Sequence, residues 1–134
     1  KPYFRVEFNQ SPVDTVLRTF MGFRGTLAGS SIPTTENHAG LIFDGANWKA
    51  TNADGTTQVL TTVTLPAAAF RHVIEVFRYT DRVEFWLDGT RTTHTTNLPT
   101  GNLEWQLLLS SAGGGGVAAR YLTLGELIIQ EDPN

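Results

Sequence analysis

Apolar and polar residues alternate through much of the chain, most clearly from Phe70 to Gly89, FRHVIEVFRYTDRVEFWLDG. A period of two is that of a β-strand, whose successive side chains point to opposite faces. A turn centred on Thr80-Asp81 lets Ile74 and Val76 meet Val83, Phe85 and Leu87 on one face, which is a core face by its composition. The opposite face then carries Val73, Glu75 and Phe77 beside Glu84, Trp86 and Asp88. That mixture is too polar for a sealed interior and too aromatic for a merely solvated surface. Glu75, Phe77, Glu84 and Trp86 are therefore the candidate ligand-binding residues.

The same reading extends along the chain. Short runs rich in Thr, Val, Phe, Ile and Tyr, separated by Gly, Pro, Asn and Asp, predict strands near Tyr3–Phe8, Val16–Phe23, His38–Phe43, Asn47–Asn52 and Thr57–Thr62. Five more are predicted near Phe70–Arg78, Arg82–Leu87, Arg91–Thr96, Leu103–Ser110 and Val117–Gln130. Asp44-Gly45, Asp54-Gly55 and Asp88-Gly89 are hairpin dipeptides, because Gly tolerates the positive φ that tight turns need. Leu65 to Ala69 could hold one helical turn. Many short strands at this spacing predict an all-β, antiparallel two-sheet β-sandwich of jelly-roll type, in a single domain spanning residues 1–134.

Composition excludes more than it assigns. A chain of 134 residues is long enough for one core without staples, and it has no cysteine to supply disulfides or thiolate ligands. Its formal charge of −3 and lack of a basic block argue against nucleic acid as a partner. No apolar run approaches the roughly 20 residues of a membrane span, so no membrane insertion is expected. The four glycines Gly113 to Gly116 lack the Lys-Ser/Thr of a phosphate-binding loop and read as a hairpin loop. Ala28 to Asn37 reads as a surface loop or contact arm.

Glu75 and Glu84 are diagonal neighbours in this register, about 7–8 Å apart by Cα. Inverting glycosidases hold their two carboxyls about 6.5–9.5 Å apart. The spacing admits catalysis, but any two carboxylates on adjacent strands reach it, and a flat strand surface offers no pocket to raise one pKa. Binding is the preferred reading. His38, His72 and His94 have no metal-ligand spacing and read as structural. Asp44, Asn47 and Asp54 could supply calcium oxygens but are equally the residues that tight turns use. No metal or other cofactor is expected. Trp48, Trp86 and Trp105 could each stack on a sugar ring. Trp48 and Trp105 read as core, whereas alternation turns Trp86 away from Phe85 and Leu87.

FRHVIEVFRYTDRVEFWLDG, THTTNLPTGNLEWQLLLSSAGG and the closing ARYLTLGELIIQED, with TFMGFRG and NHAGLIFDGANWKATNADGTT before them, resemble the concanavalin A-like, laminin-G-like jelly rolls, in particular those of bacteriophage virion and tail proteins. The resemblance implies a noncatalytic binding or structural module of a virion, recognising a host glycan or a neighbouring virion protein. A secreted, extracellular carbohydrate-binding or adhesion domain is the alternative, and a glycoside hydrolase ranks last. Glycosidases of this superfamily carry a strand motif close to E-x-D-x-x-E, and the sequence has no such triple. The chain opens on KPYFRVEF, already within a strand. The expectation is either a domain cut from a longer chain or a sheet completed by another subunit, as in a homo-oligomer.

Overall fold

The computed structural model describes residues 2–11, 16–25, 31–64, 71–111 and 121–130. The described strands are β1 (Tyr3–Ser11), β2 (Leu17–Arg24), β3 (His38–Phe43), β4 (Trp48–Ala53), β5 (Gln58–Val63), β6 (His72–Arg78), β7 (Val83–Leu87), β8 (Thr90–His94), β9 (Glu104–Ser111) and β10 (Tyr121–Gln130). Each coincides with a predicted strand to within a few residues, and no helix occurs among the described residues. Leu65 to Ala69, Gly113 to Gly116 and the start of the last predicted strand lie outside the described residues, as does the first part of the Ala28–Asn37 loop.

Two antiparallel five-stranded sheets face each other. The first has the order β10-β1-β6-β7-β8 and the second β5-β4-β3-β2-β9. Local hairpins build much of this: β3 to β4, β4 to β5, β6 to β7 and β7 to β8 are consecutive antiparallel pairs. β6 and β7 pair Arg78 with Val83, and Tyr79 N–H donates to the Arg82 carbonyl at 2.8 Å, which centres the turn on Thr80-Asp81 as expected. The β7–β8 turn holds both Asp88 and Gly89 at positive φ, 49° and 80°, the geometry that matches the twist of paired strands. Asp88 Oδ1 accepts the Val73 N–H at 2.8 Å, and Oδ2 meets His72 Nδ1 at the same distance, so the turn is tied to the start of β6.

Alternation sets the core. The first sheet contributes Phe4, Val6, Phe8, Ile74, Val76, Val83, Phe85 and Leu87, and the second Leu17, Met21, Phe23, Ala39, Leu41, Phe43, Trp48 and Ala50. Rings join the layers: Phe4 meets Phe23 edge-on at 5.4 Å between centroids, and Phe8 meets Trp48 at 5.2 Å. Trp48 is thus core, and Trp105 packs against the same cluster half-buried. The outer side of the second sheet is also closed over β2 and β3. Gly22 and Gly40 pair directly, and the ring of Phe20 crosses them so closely that an added Cβ at either would stand 2.9 Å or less from it.

Candidate functional site

The outer face of the first sheet brings the four sequence-selected residues together. Glu75 pairs with Trp86 and Phe77 with Glu84 across the β6–β7 ladder, so Glu75 and Glu84 are diagonal neighbours, as the alternation requires. β1 runs along the other side of β6 and sets Tyr3 opposite Phe77 and Arg5 opposite Glu75. The Tyr3 and Phe77 rings stack at 4.5 Å, and the Tyr3 hydroxyl donates to Glu75 Oε1 at 3.0 Å. Partial burial, with that hydrogen bond, pushes the Tyr3 phenol up to about 12. Arg5 stands 3.9 Å from Glu75 and also pairs with Glu126 of β10.

Glu84 lies deeper, with its carboxylate gripped from both sides. Arg82 Nε donates to Oε1 at 2.8 Å, and Arg91 approaches the same oxygen at 4.0 Å. The Arg82 hydrogen bond holds the carboxyl below the usual carboxylate range against the opposing effect of burial. The Arg91 guanidinium also lies over Trp86, 5.6 Å from its centroid, and Arg82 lies over Tyr79 at 3.9 Å. Tyr3, Phe77, Tyr79 and Trp86 therefore form an aromatic floor around two carboxylates and three guanidiniums. Such a face can stack on the apolar side of a sugar ring and bond its hydroxyls with fixed charged groups.

Sequence reasoning missed Tyr3, Arg5, Arg82 and Arg91. Arg82 was accessible to it, standing two residues before Glu84 on the same face. Tyr3 was not, since it reaches Glu75 across 72 residues of chain.

The opposite outer face, on the second sheet, has different chemistry. The outward positions of β2 are Arg18, Phe20, Gly22 and Arg24, and those of β9 include Glu104 and Gln106. β2, LRTFMGFR, contains no carboxylate, and the sequence holds no E-x-D-x-x-E triple. Fully buried Arg24 pairs with Glu36 and donates through Nη1 to the Ser31 carbonyl and Gln106 Oε1, each at 3.2 Å. His38, also fully buried, lies 2.7 Å from both the Glu36 carbonyl and Thr51 Oγ1, and burial pushes its pKa down. These groups fasten the 31–37 segment to the sheet.

The remaining histidines and turn carboxylates also have structural partners. His94 packs 4.9 Å from Phe85 and bonds Thr61 and Asn52, joining β8 to the second sheet. Asp44 Oδ1 accepts the Ala46 and Asn47 amides, and Asp54 Oδ1 those of Thr56 and Thr57, so each serves its own turn. Among the described residues no group of three His, Asp or Glu side chains could hold a metal ion.

No protein-family model and no curated protein sequence matches the chain. Solved structures do match. A β-glucanase of Bacillus licheniformis superposes with a TM-score of 0.65 at 14% identity, over 96% of this chain and 64% of that one. A structure described as a native glycosidic hydrolase gives 0.62 at 15% identity, over 94% and 62%. A prokaryotic β-1,3-1,4-glucanase (lichenase) derived from a mouse hindgut metagenome gives 0.59 at 12% identity, over 84% and 54%. The class is therefore the antiparallel jelly-roll β-sandwich of concanavalin A-like type, and the chain spans less than two thirds of each of these structures.

Two expectations are corrected here. The sequence reading made the chain a noncatalytic module of a phage particle and ranked a hydrolase last, yet these three structures sharing its sandwich are glycoside hydrolases and none is described as a virion component. The error has a physical origin. Hairpin and strand motifs encode the sandwich, which does not by itself specify the chemistry carried on its faces.

Proposed function

We propose that the chain is the sandwich of a polysaccharide-directed glycoside hydrolase, with the outer face of the first sheet as its glycan surface and Glu75 and Glu84 as its carboxylate pair. The carrying observation is the diagonal placement of these two glutamates inside a floor of Tyr3, Phe77, Tyr79 and Trp86. Diagonal neighbours lie about 7–8 Å apart by Cα, a placement from which two carboxyls can span the roughly 6.5–9.5 Å that inversion requires. The fold shared with glucanases supports a glycan-directed hydrolase, whereas the choice of Glu75 and Glu84 rests on the face itself, since the E-x-D-x-x-E triple is absent.

The two carboxyls have different surroundings and hence different parts. Glu84, kept ionised by Arg82, is the base that takes a proton from the attacking water. Glu75, whose carboxylate accepts the Tyr3 hydroxyl and is open to solvent on one side, takes up a proton from water and passes it to the leaving oxygen. The glycosidic C–O bond breaks as the water oxygen bonds to the anomeric carbon from the opposite side. The aromatic rings hold the sugar and the arginines orient its hydroxyls.

The test is release of reducing ends from a polysaccharide panel, with mixed-linkage β-1,3-1,4-glucan first because two of the three structures compared above are named as β-glucanases. Wild type should hydrolyse at least one member, and NMR should show the inverted anomer forming first. Glu75→Gln and Glu84→Gln should each lower kcat by about 10²–10⁴-fold. A wild-type chain inert on every glycan, or activity unaffected by both substitutions, would reject the assignment.

A further inference from the structure

The polar chemistry of the first sheet's outer face does not end at Glu75. Glu7 of β1 pairs with Val73, so it is a diagonal neighbour of Glu75 just as Glu75 is of Glu84. The three glutamates step across β1, β6 and β7 in one oblique line, each step about 7–8 Å by Cα.

At the Glu7 end of this line β10 carries a bulge. β1 advances from Val6 to Phe8 while β10 passes from Leu127 to Leu124, so Gly125 and Glu126 both oppose Glu7. Glu126 reaches back to Arg5, and Gly125 has no side chain to fill the space beside Glu7. A cavity of about 360 Å³ lies there, lined by Glu7, Phe8, Asn9, Arg71, Thr123 and Gly125. That is within the range of small-molecule sites.

The lining suits a neutral polyol. The Glu7 side chain is nine-tenths buried and pairs with Arg71, so the two charges cancel. The Arg71 hydrogen bond, helped by the Glu126 amide, holds the Glu7 carboxyl below the usual carboxylate range in spite of burial. Glu7 is thus a fixed acceptor and not a further proton carrier. The Arg71 side chain is 69% exposed and keeps N–H donors beyond the one it gives Glu7. Asn9 and Thr123 stand opposite each other on β1 and β10, and each offers both a donor and an acceptor. A sugar hydroxyl uses both kinds, whereas an anion would be repelled by Glu7 and a cation by Arg71.

We propose that this cavity is a sugar subsite, taking one uncharged pyranose unit of the polysaccharide whose cleavage is assigned to Glu75 and Glu84. A linear glycan laid along the glutamate line has its reacting bond between Glu75 and Glu84 and a further unit at Glu7. Only an oligosaccharide reaches both, so the subsite favours long chains over short ones. Its membership of that groove rests on the proposed function; the affinity of the cavity for a neutral sugar does not.

The Glu75→Gln variant, titrated with a hexasaccharide of mixed-linkage β-1,3-1,4-glucan and followed by amide NMR, should shift the Asn9 and Gly125 peaks together with the Trp86 indole peak. Adding Glu7→Gln should weaken hexasaccharide binding about 10-fold, the loss of one hydrogen bond to a charged group. Asn9→Ala, which leaves the Glu7–Arg71 pair in place, should weaken it as well, so the result does not depend on how the Glu7 variant folds. A shift at Trp86 with Asn9 and Gly125 unmoved would overturn the subsite and leave the proposed function standing. Shifts at Asn9 and Gly125 in a protein whose wild type hydrolyses no glycan would uphold the subsite and remove the catalytic reading. No shift at any of the three would overturn the subsite, with the catalytic reading then standing or falling by hydrolysis alone.

Discussion

Arg24 is fully buried on the outer side of β2, and Glu36 is the acid that compensates it. Partial burial alone would raise the Glu36 carboxyl. The backbone amides of Glu36 and Thr34 and the Arg24 guanidinium outweigh that and hold it at about 2, below the ordinary 4.5. A carboxyl whose pKa is lowered on folding stabilises the fold when ionised. Its contribution is complete above about pH 4.5 and is lost as pH falls towards 2. Asp44, held at about 2 by Lys49 and two backbone amides in spite of partial burial, acts in a narrower window, between pH 3.8 and 2. Glu36→Gln should therefore cost about 1.5–3 kcal/mol near neutrality, the worth of a hydrogen bond to a charged group. It should also flatten the fall in stability between pH 4.5 and 2, read by urea unfolding across that range.

Among the elements, two glycines separate conformational from steric cost. Gly89 sits at φ 80° with open space around it, and a Cβ there would meet nothing within 4 Å. Gly89→Ala should cost about 1–2 kcal/mol, the penalty of a left-handed residue with a Cβ. Gly22 has no positive φ, but a Cβ there would lie 2.4 Å from the Ala39 carbonyl oxygen and 2.6 Å from the Gly40 Cα. Both contacts are with backbone, which cannot swing aside. Gly22→Ala should cost about 3 kcal/mol or more, with the larger loss of the pair in denaturant titrations. The reverse order would mean that β2 and β3 can move apart more readily than a turn can change its backbone angles.

For the molecule as a whole, the tryptophans distinguish the joint between sheets from the outer face. Trp48 is buried between Phe8 and Phe43, where it helps tie one sheet to the other. Trp86 is half-buried beneath Arg91 on the face assigned to glycan. Trp48→Ala should destabilise by about 3–5 kcal/mol, as an emptied core site does. Trp86→Ala should cost about 1 kcal/mol, within the ordinary range for a single substitution, and should raise KM for a polysaccharide substrate. Thermal unfolding and steady-state kinetics on the two variants check both; severe unfolding of the Trp86 variant would make that residue a packing element.

All ten described strands, the Thr80-Asp81 turn and the inward-outward assignment of β6 and β7 were legible in the sequence, because alternation and turn chemistry are local. So was the diagonal of Glu75 and Glu84, which follows from one hairpin register. The partners of those glutamates were only partly legible: Arg82 is a near neighbour, whereas Tyr3 arrives through the β1–β6 pairing, whose register no local pattern fixes. The same holds for β2 with β9 and for β1 with β10, where Arg5 meets Glu126 across 121 residues. Burial of Phe20, Arg24 and His38 on an outward face also escaped alternation, since it depends on which segment folds over the sheet. Local pattern was enough for the strands, their turns and the two-sided character of each hairpin. Which distant strands adjoin and which outward faces are covered came from the folded chain, because those outcomes rest on contacts between residues far apart in the sequence.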